Sequence, residues 1–380
     1  MADRDLCFTP ATKLVPLIAR GAVSPLEVVQ AVLARLERVN PRLNAYGTVA
    51  AEQAVDAAKR ATAAARRRAR RGPLHGVPVS IKDLTPTKGI RTTWGSKIYE
   101  HHVPEEDALV VARLKAAGAI VLGKTNTPEF GAGANTFNEV FGVTRNPWNP
   151  ALTPGGSTGG GAVALATGLG PLAQGTDLGG SLRLPAAFCG VVGFRTSPGL
   201  VPNHPAPLAW DPWSVSGPMA RTVADTALML SVIAGADPRS PISYSVNPRA
   251  FIDAVRRPSA RGLRLAWGGD LGVTPVDDEV LRVARDAMTI LQRSGARVTD
   301  EHPDLDGVHD VVLISRGARV RSGDARQHQR DVRDRPRHRA LDSVRLPRKR
   351  AGPDGDEPGR GAKADHSAEC RWDPERAPEV

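Results

Sequence analysis

Two serines in glycine-rich turns are the residues of this sequence whose type and surroundings could do chemistry. Ser157 lies in the run PGGSTGGG, and Ser181 ends the run GTDLGGS. Glycine lets the backbone approach a ligand closely, and successive free N–H groups in such a turn stabilise a developing negative charge. A serine at the end of the turn is then a candidate nucleophile, which predicts acyl-transfer chemistry.

Glycine and serine together are also typical of flexible linkers. Here the glycines alternate with apolar runs at residues 162–165 and 191–194, which a linker does not need. The stretch from Thr153 to Pro202 therefore predicts a folded, turn-rich centre around which the rest of the chain is organised.

A lysine at the end of a predicted strand is a third candidate. Apolar residues alternate in the segment GVPVSIKD as they do in a strand, and Lys82 stands at its end. Neighbouring strand residues face opposite ways, so Asp83 need not neutralise Lys82. A lysine in this position is usually a surface charge, so the local pattern alone does not assign it a role.

A phosphate-binding pattern also occurs in the sequence. Residues 118–125, GAIVLGKT, match G-x-x-x-x-G-K-[ST]. A phosphate loop follows a strand and opens a helix, whereas here the four variable positions themselves have the pattern of a strand and Pro128 prevents a helix. We therefore reject the interpretation that this chain is a nucleotide-binding protein. Assays of amide hydrolysis with and without ATP would test that conclusion.

The segments that hold these residues alternate between helical and extended patterns. One helix opens with the capping box SPLE at residues 24–27. Other helices are predicted at 10–21, 51–71, 107–117, 222–235 and 275–294, and strands at 44–49, 77–81, 119–122, 263–267 and 296–299. This alternation predicts an α/β protein in which helices cover the faces of a sheet.

Composition limits the class of protein. The chain has 380 residues, 41% of them hydrophobic, with three scattered cysteines and a formal net charge of +11. These values predict a globular protein without a disulfide framework or zinc site, in a reducing compartment that we expect to be the cytoplasm. No signal-peptide pattern opens the sequence and no apolar run has the length of a membrane span.

Basic residues are concentrated in two places. The run RRRARR at residues 66–71 is of a kind that binds nucleic acid, but basic residues also favour helix C-termini, so we expect a solvated helix end.

Residues 316–380 hold 17 Lys and Arg, 12 Asp and Glu and few apolar side chains, too few to form a core. An Arg-rich RNA-binding tail is one interpretation. A shifted reading frame in a GC-rich gene is the other, and the abrupt change in composition favours it.

Three motifs together resemble one enzyme family. Lys82 in GVPVSIKDL, Ser157 in PGGSTGGG and Ser181 in GTDLGGSLRLPAAFCGVVGF are similar to the signature of the amidase signature family of serine hydrolases. The resemblance extends from about Ser24 to about Leu313. It implies an α/β fold with a mixed, twisted central sheet covered by helices on both faces. We expect an amidase domain at residues 1–315, incomplete at its C-terminus, and an Arg-rich, disordered tail at 316–380.

The resemblance also implies a Ser–cis-Ser–Lys triad in which histidine takes no part. Lys82 would be the base and must be neutral, so burial has to lower its pKa. Ser157, after a cis peptide bond from Gly156, would relay the proton, and Ser181 would attack the amide carbonyl.

The turn before the nucleophile would stabilise the oxyanion. The backbone N–H groups of Leu178, Gly179 and Gly180, together with that of Ser181, are the expected donors. We expect Asp177 and Arg183 to brace this turn rather than to take part in the chemistry.

The expected activity is hydrolysis of a carboxylic amide to a carboxylate and an amine or ammonia, through a seryl acyl-enzyme. We expect a small-molecule amide substrate and no cofactor, metal ion, nucleic acid or membrane, with a homodimer as a candidate assembly. Thr158 stands where the family usually has a second serine, and the last third of the family fold has no counterpart. Two alternatives therefore stay open: the amidase subunit of a tRNA-dependent amidotransferase, and a catalytically impaired, truncated amidase.

Overall fold

The computed structural model describes residues 3–67, 72–273, 275–315 and 317 of the chain. The α-helices are α1 Asp3–Phe8, α2 Ala11–Ala19, α3 Pro25–Leu43, α4 Ala51–Arg66, α5 Leu109–Ala116, α6 Gly159–Ala166, α7 Arg183–Cys189, α8 Val223–Ile233, α9 Arg249–Arg256 and α10 Asp278–Arg293. The strands are β1 Tyr46–Val49, β2 Pro78–Lys82, β3 Ile120–Thr125, β4 Phe137–Asn138, β5 Gly142–Val143, β6 Leu172–Asp177, β7 Val192–Gly193, β8 Val215–Ala220, β9 Arg264–Trp267 and β10 Arg297–Asp300. The predicted Arg-rich tail lies outside the described residues apart from position 317, and so do positions 68–71 of the basic run.

A six-stranded sheet forms the centre of the fold, with the strand order β1-β3-β2-β6-β8-β7. β2 pairs in parallel with both β3 and β6, whereas β1, β7 and β8 join through antiparallel pairs. Parallel neighbours end at the same edge of a sheet. Lys82 and Asp177, the last residues of β2 and β6, therefore come to the same edge, and the mixed sheet that the resemblance implied is confirmed.

Helices cover both faces of this sheet. Because successive strand residues face opposite sides, Leu122 and Ala173 join the apolar cluster formed with α3 and α6, whereas Val121 and Leu172 join the one formed with α5 and α8. Apolar residues thus fill the space on each side of the sheet. This packing holds the carboxyl edge of the sheet, and the side chains at that edge, in position.

The local sequence signals locate most elements within a few residues. Ser24 caps α3 by accepting a hydrogen bond from the N–H of Glu27, and the N–H of Ser24 donates to the side chain of Glu27, so the predicted capping box is confirmed. The helix predicted at 222–235 forms as α8, and the strands predicted at 44–49 and 77–81 form as β1 and β2.

α6 follows Ser157 almost directly and is buried along its whole length. Close packing requires its glycines: a Cβ on Gly159 would lie 2.2 Å from Oγ1 of Thr136, and one on Gly160 would lie 2.4 Å from the carbonyl O of Ala45. Any side chain would push the helix away from the sheet. The glycine run is a packing feature, which confirms that this stretch is not a linker.

The described residues divide into two compact units, one ending at Asp306 and the other beginning at Gly307. In the second unit, residues 308–315 are helical. Within the first unit, β9 and β10 form a separate two-stranded parallel sheet. Val280 and Val283, which are three residues apart on one side of α10, are 57% and 63% accessible.

None of the described helices combines the length and the apolar character that a membrane crossing requires.

Candidate active site

Lys82 and Ser157 are in contact at the carboxyl edge of the central sheet. Lys82 is completely buried, and its Nζ donates hydrogen bonds to Oγ of Ser157 at 2.7 Å and to Oγ1 of Thr176 at 3.0 Å. Ser157 is 2% exposed and stands in the turn before α6. The peptide bond between Gly156 and Ser157 is cis, as the resemblance implied.

Burial determines the charge of Lys82. Removal from water penalises the ammonium form and lowers the pKa of Lys82 from 10.5 to about 7, although the carboxylate of Asp177 opposes this shift. A large fraction of the side chain is therefore the neutral amine near neutral pH. Only this form can accept a proton, so the geometry and the charge state both suit a base.

The backbone holds Ser181 beside this pair. The N–H of Thr158 donates to the carbonyl O of Ser181 at 3.2 Å, which ties the turn of Ser181 to the residue that follows Ser157. Ser181 is half-buried and Gly179 is exposed. A Cβ on Gly179 or Gly180 would meet no atom within 4 Å. The turn therefore borders open space.

Asp177 fixes the shape of that turn. Its buried carboxylate accepts hydrogen bonds from the N–H of Gly180 at 2.9 Å and of Leu182 at 3.1 Å. Arg183 and Arg195 add ion pairs at 3.1 and 2.9 Å. Burial alone would raise the pKa of Asp177, but these hydrogen bonds outweigh burial and hold that pKa well below its usual range. These contacts support the bracing role predicted for Asp177 and Arg183, and the absence of a chemical role stays a prediction.

This bracing changes the expected role of one oxyanion donor. The sequence predicts donors at Leu178, Gly179, Gly180 and Ser181, but the N–H of Gly180 already donates to Asp177. The reason is that a buried carboxylate needs hydrogen-bond donors of its own. Gly180 therefore braces the turn in this structure, whereas the oxyanion roles of Leu178, Gly179 and Ser181 stay predictions.

Sequence reasoning missed three residues of the site. Thr176, the second acceptor for Lys82, lies inside the GTDLGGS motif, so that motif held the signal for it. Arg195 donates to the carbonyl O of Asp177 as well as to its carboxylate. A Cβ on Gly131 would lie 3.5 Å from Oγ of Ser157. Arg195 and Gly131 reach the site through long-range folding, for which no local pattern gives a signal.

Residues 120–125 of the phosphate-loop pattern form the strand β3. β3 is buried throughout, and Lys124 within it is 0% exposed. The element that follows β3 is a 3-10 turn at Glu129–Gly131 rather than a helix beginning at Asn126. A lysine buried inside a strand does not reach a phosphate, which confirms that the pattern is not a phosphate loop.

Comparison with known sequences identifies relatives of this chain. The sequence profile of the family described as Amidase matches residues 27–351. The acylamidase of Rhodococcus erythropolis is 40% identical over 303 residues, which are 80% of this chain and 63% of the relative. A glutamyl-tRNA(Gln) amidotransferase subunit from Roseiflexus castenholzii is 43% identical over 286 residues, 75% of this chain and 58% of the relative. The chain thus spans about three fifths of the length of these relatives.

Solved structures of amidase signature enzymes share the fold. A bacterial aryl acylamidase of that family superimposes with a TM-score of 0.76 at 29% identity, over 86% of this chain and 70% of the other. The native peptide amidase of Stenotrophomonas maltophilia does so with a TM-score of 0.73 at 32% identity, over 85% and 68% of the two chains. The chain belongs to the amidase family, in the amidase signature group.

Proposed function

We propose that this protein hydrolyses carboxylic amides through a seryl acyl-enzyme. The observation that carries the proposal is the contact of 2.7 Å between Nζ of a completely buried Lys82 and Oγ of Ser157. A buried neutral amine against a serine hydroxyl is a base placed on its proton source. Membership of a family with acylamidase and peptide amidase relatives supports the amide bond as the target.

Acylation begins with two linked proton transfers. Neutral Lys82 accepts the proton of the Ser157 hydroxyl while Ser157 accepts that of Ser181. Oγ of Ser181 then forms a bond to the carbonyl carbon, and the electron pair of the C=O bond moves onto the oxygen. The N–H groups of Leu178, Gly179 and Ser181 stabilise this oxyanion, in a turn whose shape is set by hydrogen bonds to Asp177.

The intermediate collapses when the C–N bond breaks. The amide nitrogen takes a proton from Ser157, which recovers one from the ammonium of Lys82, and leaves as an amine or ammonia. Water then attacks the carbonyl carbon of the Ser181 ester and gives a proton to Ser157, which passes its own to neutral Lys82. The ester C–O bond breaks, Oγ of Ser181 takes a proton back from Ser157, and Lys82 returns one to Ser157. The acid that leaves ionises to the carboxylate in water. No proton or electron is gained or lost by the protein over the cycle, so the reaction needs no reactant besides the amide and water.

A second candidate function is that of an amidotransferase subunit. It is favoured by the relative from Roseiflexus castenholzii, whose identity of 43% is similar to that of the acylamidase. The chemistry at Ser181 would be the same, with glutamine as the amide and partner subunits receiving the ammonia. We give precedence to the stand-alone amidase because the proposed steps need no partner subunit.

Amide hydrolysis by the full chain tests these functions. We expect release of amine or ammonia from simple aryl and aliphatic amides in the absence of ATP. Hydrolysis of glutamine only with partner subunits would favour the amidotransferase. A folded chain that hydrolyses neither substrate would indicate an impaired amidase, and a strict requirement for ATP would contradict the rejection of nucleotide binding.

The domain boundary and the compartment are further proposals. The family profile reaches residue 351, whereas we propose that the amidase domain ends at 315. Trypsin cleavage confined to residues 316–380 would support this boundary, and resistance of that segment would contradict it. We also propose a cytoplasmic location, supported by Cys189, which is a free thiol buried in the core.

A further inference from the structure

Lys124 is a second buried lysine, and the proposed mechanism does not use it. We propose that Lys124 is a positioning residue for catalysis: its side chain fixes residues 83–94, the segment that leaves β2 directly after Lys82. It thereby sets the place of Lys82 and of Leu84, which stands beside Ser157. This inference rests on the proposed function, in which Lys82 is the base.

The side chain of Lys124 is completely buried and fully hydrogen-bonded. Its Nζ donates to the carbonyl O of Thr85, to Oγ1 of Thr87 at 3.0 Å and to Oγ1 of Thr92 at 2.9 Å. An ammonium group has three donors, and all three acceptors here come from the segment after Lys82. A buried amine tolerates its loss of water only with such partners, so the segment and the lysine fix each other.

Lys124 lies on the face of the sheet opposite to Lys82. In the parallel pairing of β2 with β3, Ile81 is opposite Lys124 and Lys82 is opposite Thr125. Paired residues share a face, and consecutive residues alternate. Lys124 therefore acts through other residues and not through contact with the reacting atoms.

Thr85 connects the two lysines. Its carbonyl O accepts a hydrogen bond from Lys124, and its N–H donates to the carbonyl O of Lys82 at 3.0 Å. Its hydroxyl donates to Oε1 of Gln174 at 3.0 Å, in the strand that also contains Thr176. A shift of Thr85 therefore moves both the backbone of the base and its link to the neighbouring strand.

The far end of the segment reaches the wall of the active site. The carbonyl O of Trp94 accepts a hydrogen bond from the N–H of Phe130 at 2.7 Å. A Cβ on the next residue, Gly131, would lie 2.6 Å from Cδ1 of Leu84 and 3.5 Å from Oγ of Ser157. Leu84 and Gly131 thus stand side by side at Ser157, and the segment held by Lys124 supplies one of them.

Asp83 supplies the opposite charge for this arrangement. Burial lowers the pKa of Lys124 from 10.5 to about 7, and the carboxylates of Asp83 and Asp107 oppose that shift. Asp83 also accepts hydrogen bonds from the N–H and hydroxyl of Thr93, which closes the segment on itself. An apolar residue at position 124 would be equally well buried but would leave three oxygens without donors.

Two variants test the positioning role of Lys124, one at the donor and one at an acceptor. Lys124→Met keeps the length of the side chain and removes every donor, whereas Thr92→Val keeps Lys124 and removes one acceptor. Lys59→Met is the matched control, because Lys59 is 61% exposed on α4, where its salt-bridge partner among the described residues is Asp56 of the same helix. The readouts are the rate of covalent labelling by a fluorophosphonate and the titration midpoint of Lys82 itself. That midpoint is followed by NMR of protein labelled with ¹³C-lysine, and the resonance is assigned by its loss in Lys82→Ala.

We expect Lys124→Met and Thr92→Val to label about 10- to 100-fold more slowly, as for a reacting group displaced by about an ångström. The Lys82 midpoint should rise, because a displaced lysine regains water, and Lys59→Met should change neither value. Folded variants with an unchanged midpoint and labelling rate would overturn the inference. If Lys124→Met does not fold, Thr92→Val decides by the same two measurements. If the unsubstituted chain neither labels nor hydrolyses amides, the proposed function fails, while the Lys82 midpoint still decides the positioning role.

Discussion

Lys82 and Asp83 are adjacent in the chain, yet the carboxylate of Asp83 binds Thr93 and not the lysine. Asp83 accepts hydrogen bonds from the N–H of Thr93 at 3.1 and 3.2 Å and is itself buried. A carboxylate against the Lys82 ammonium would have kept it protonated. Because Asp83 is directed elsewhere, burial dominates, and the amine of Lys82 is free to accept the proton of Ser157.

The pH dependence of activity should follow Lys82. Burial lowers the pKa of Lys82 to about 7, so below this pH the side chain is a charged ammonium that cannot act as a base. As the pH rises through that value the neutral amine forms, and initial rates of amide hydrolysis should rise to a plateau. Lys82→Ala should lower the rate by roughly 10²–10⁴-fold, the usual contribution of a placed base. A flat profile from about pH 5 to about pH 9, together with an active alanine variant, would contradict this role.

The two serines should differ in their response to substitution. Ser181→Ala removes the proposed nucleophile, so both amide hydrolysis and covalent labelling by a fluorophosphonate should be lost. Ser157→Ala removes only the proton relay, so slow labelling of Ser181 should persist. Mass spectrometry of the labelled peptide locates the modified residue. Labelling of Ser181→Ala at an undiminished rate would show that the nucleophile lies elsewhere.

Arg195 should contribute more to turnover than Arg183, although both pair with Asp177. Arg183 is 55% exposed, and exposed ion pairs contribute little. Arg195 is 23% exposed and also donates to the carbonyl O of Asp177 and to that of Trp213 at 3.1 Å.

Arg195→Met should therefore leave buried acceptors without donors, at a cost of about 1–3 kcal/mol, and should loosen the oxyanion turn. We expect a fall in kcat with little change in KM, since the turn acts mainly in the transition state. Arg183→Met is the comparison. Equal effects of the two substitutions on kcat would show that the additional hydrogen bonds of Arg195 do not contribute to turnover.

The sequence identified the parts of the site that lie within continuous motifs. Lys82, Ser157 and Ser181 each stand in a short run whose glycines or alternating apolar residues are visible locally. The bracing role of Asp177 could be predicted for the same reason, because its hydrogen-bond partners Gly180 and Leu182 follow within five residues. Local spacing is enough when the partners are neighbours in the chain.

Contacts between distant segments could not be predicted in this way. Arg195 reaches Asp177 from 18 residues away. The pattern at residues 118–125 indicates nothing about the partners of Lys124, because Thr87 and Thr92 lie 37 and 32 residues away on a different segment. The oxyanion role predicted for Gly180 did not take account of the donors that a buried Asp177 requires. The contacts of Arg195 and Lys124 depend on how distant segments come together, which periodicity does not specify, and the role of Gly180 depends on the burial of Asp177, which follows from the same folding.

Gly131 and Gly21 form a matched pair that separates backbone strain from obstruction of the site. Their φ angles are +71° and +74°, so alanine at either position has a similar cost for the left-handed region, about 1–2 kcal/mol of stability. Their surroundings differ. A Cβ at Gly21 meets no atom within 4 Å, whereas one at Gly131 would lie 2.6 Å from Leu84 and 3.5 Å from Oγ of Ser157.

Both alanine variants should therefore show similar losses in thermal stability, but only Gly131→Ala should lose activity. Its methyl group displaces Leu84 and narrows the space at Ser157, so we expect kcat/KM to fall by at least about tenfold, as for other small misplacements near a reacting group. The loss should be larger for a bulky aryl amide than for a small aliphatic one, because the added methyl group occupies volume rather than removing a proton donor. Gly21→Ala should retain the rates of the unsubstituted chain with both amides. If both variants lost activity in proportion to their loss of thermal stability, backbone strain would account for the effect. The expected position of Gly131 beside the substrate would then be wrong.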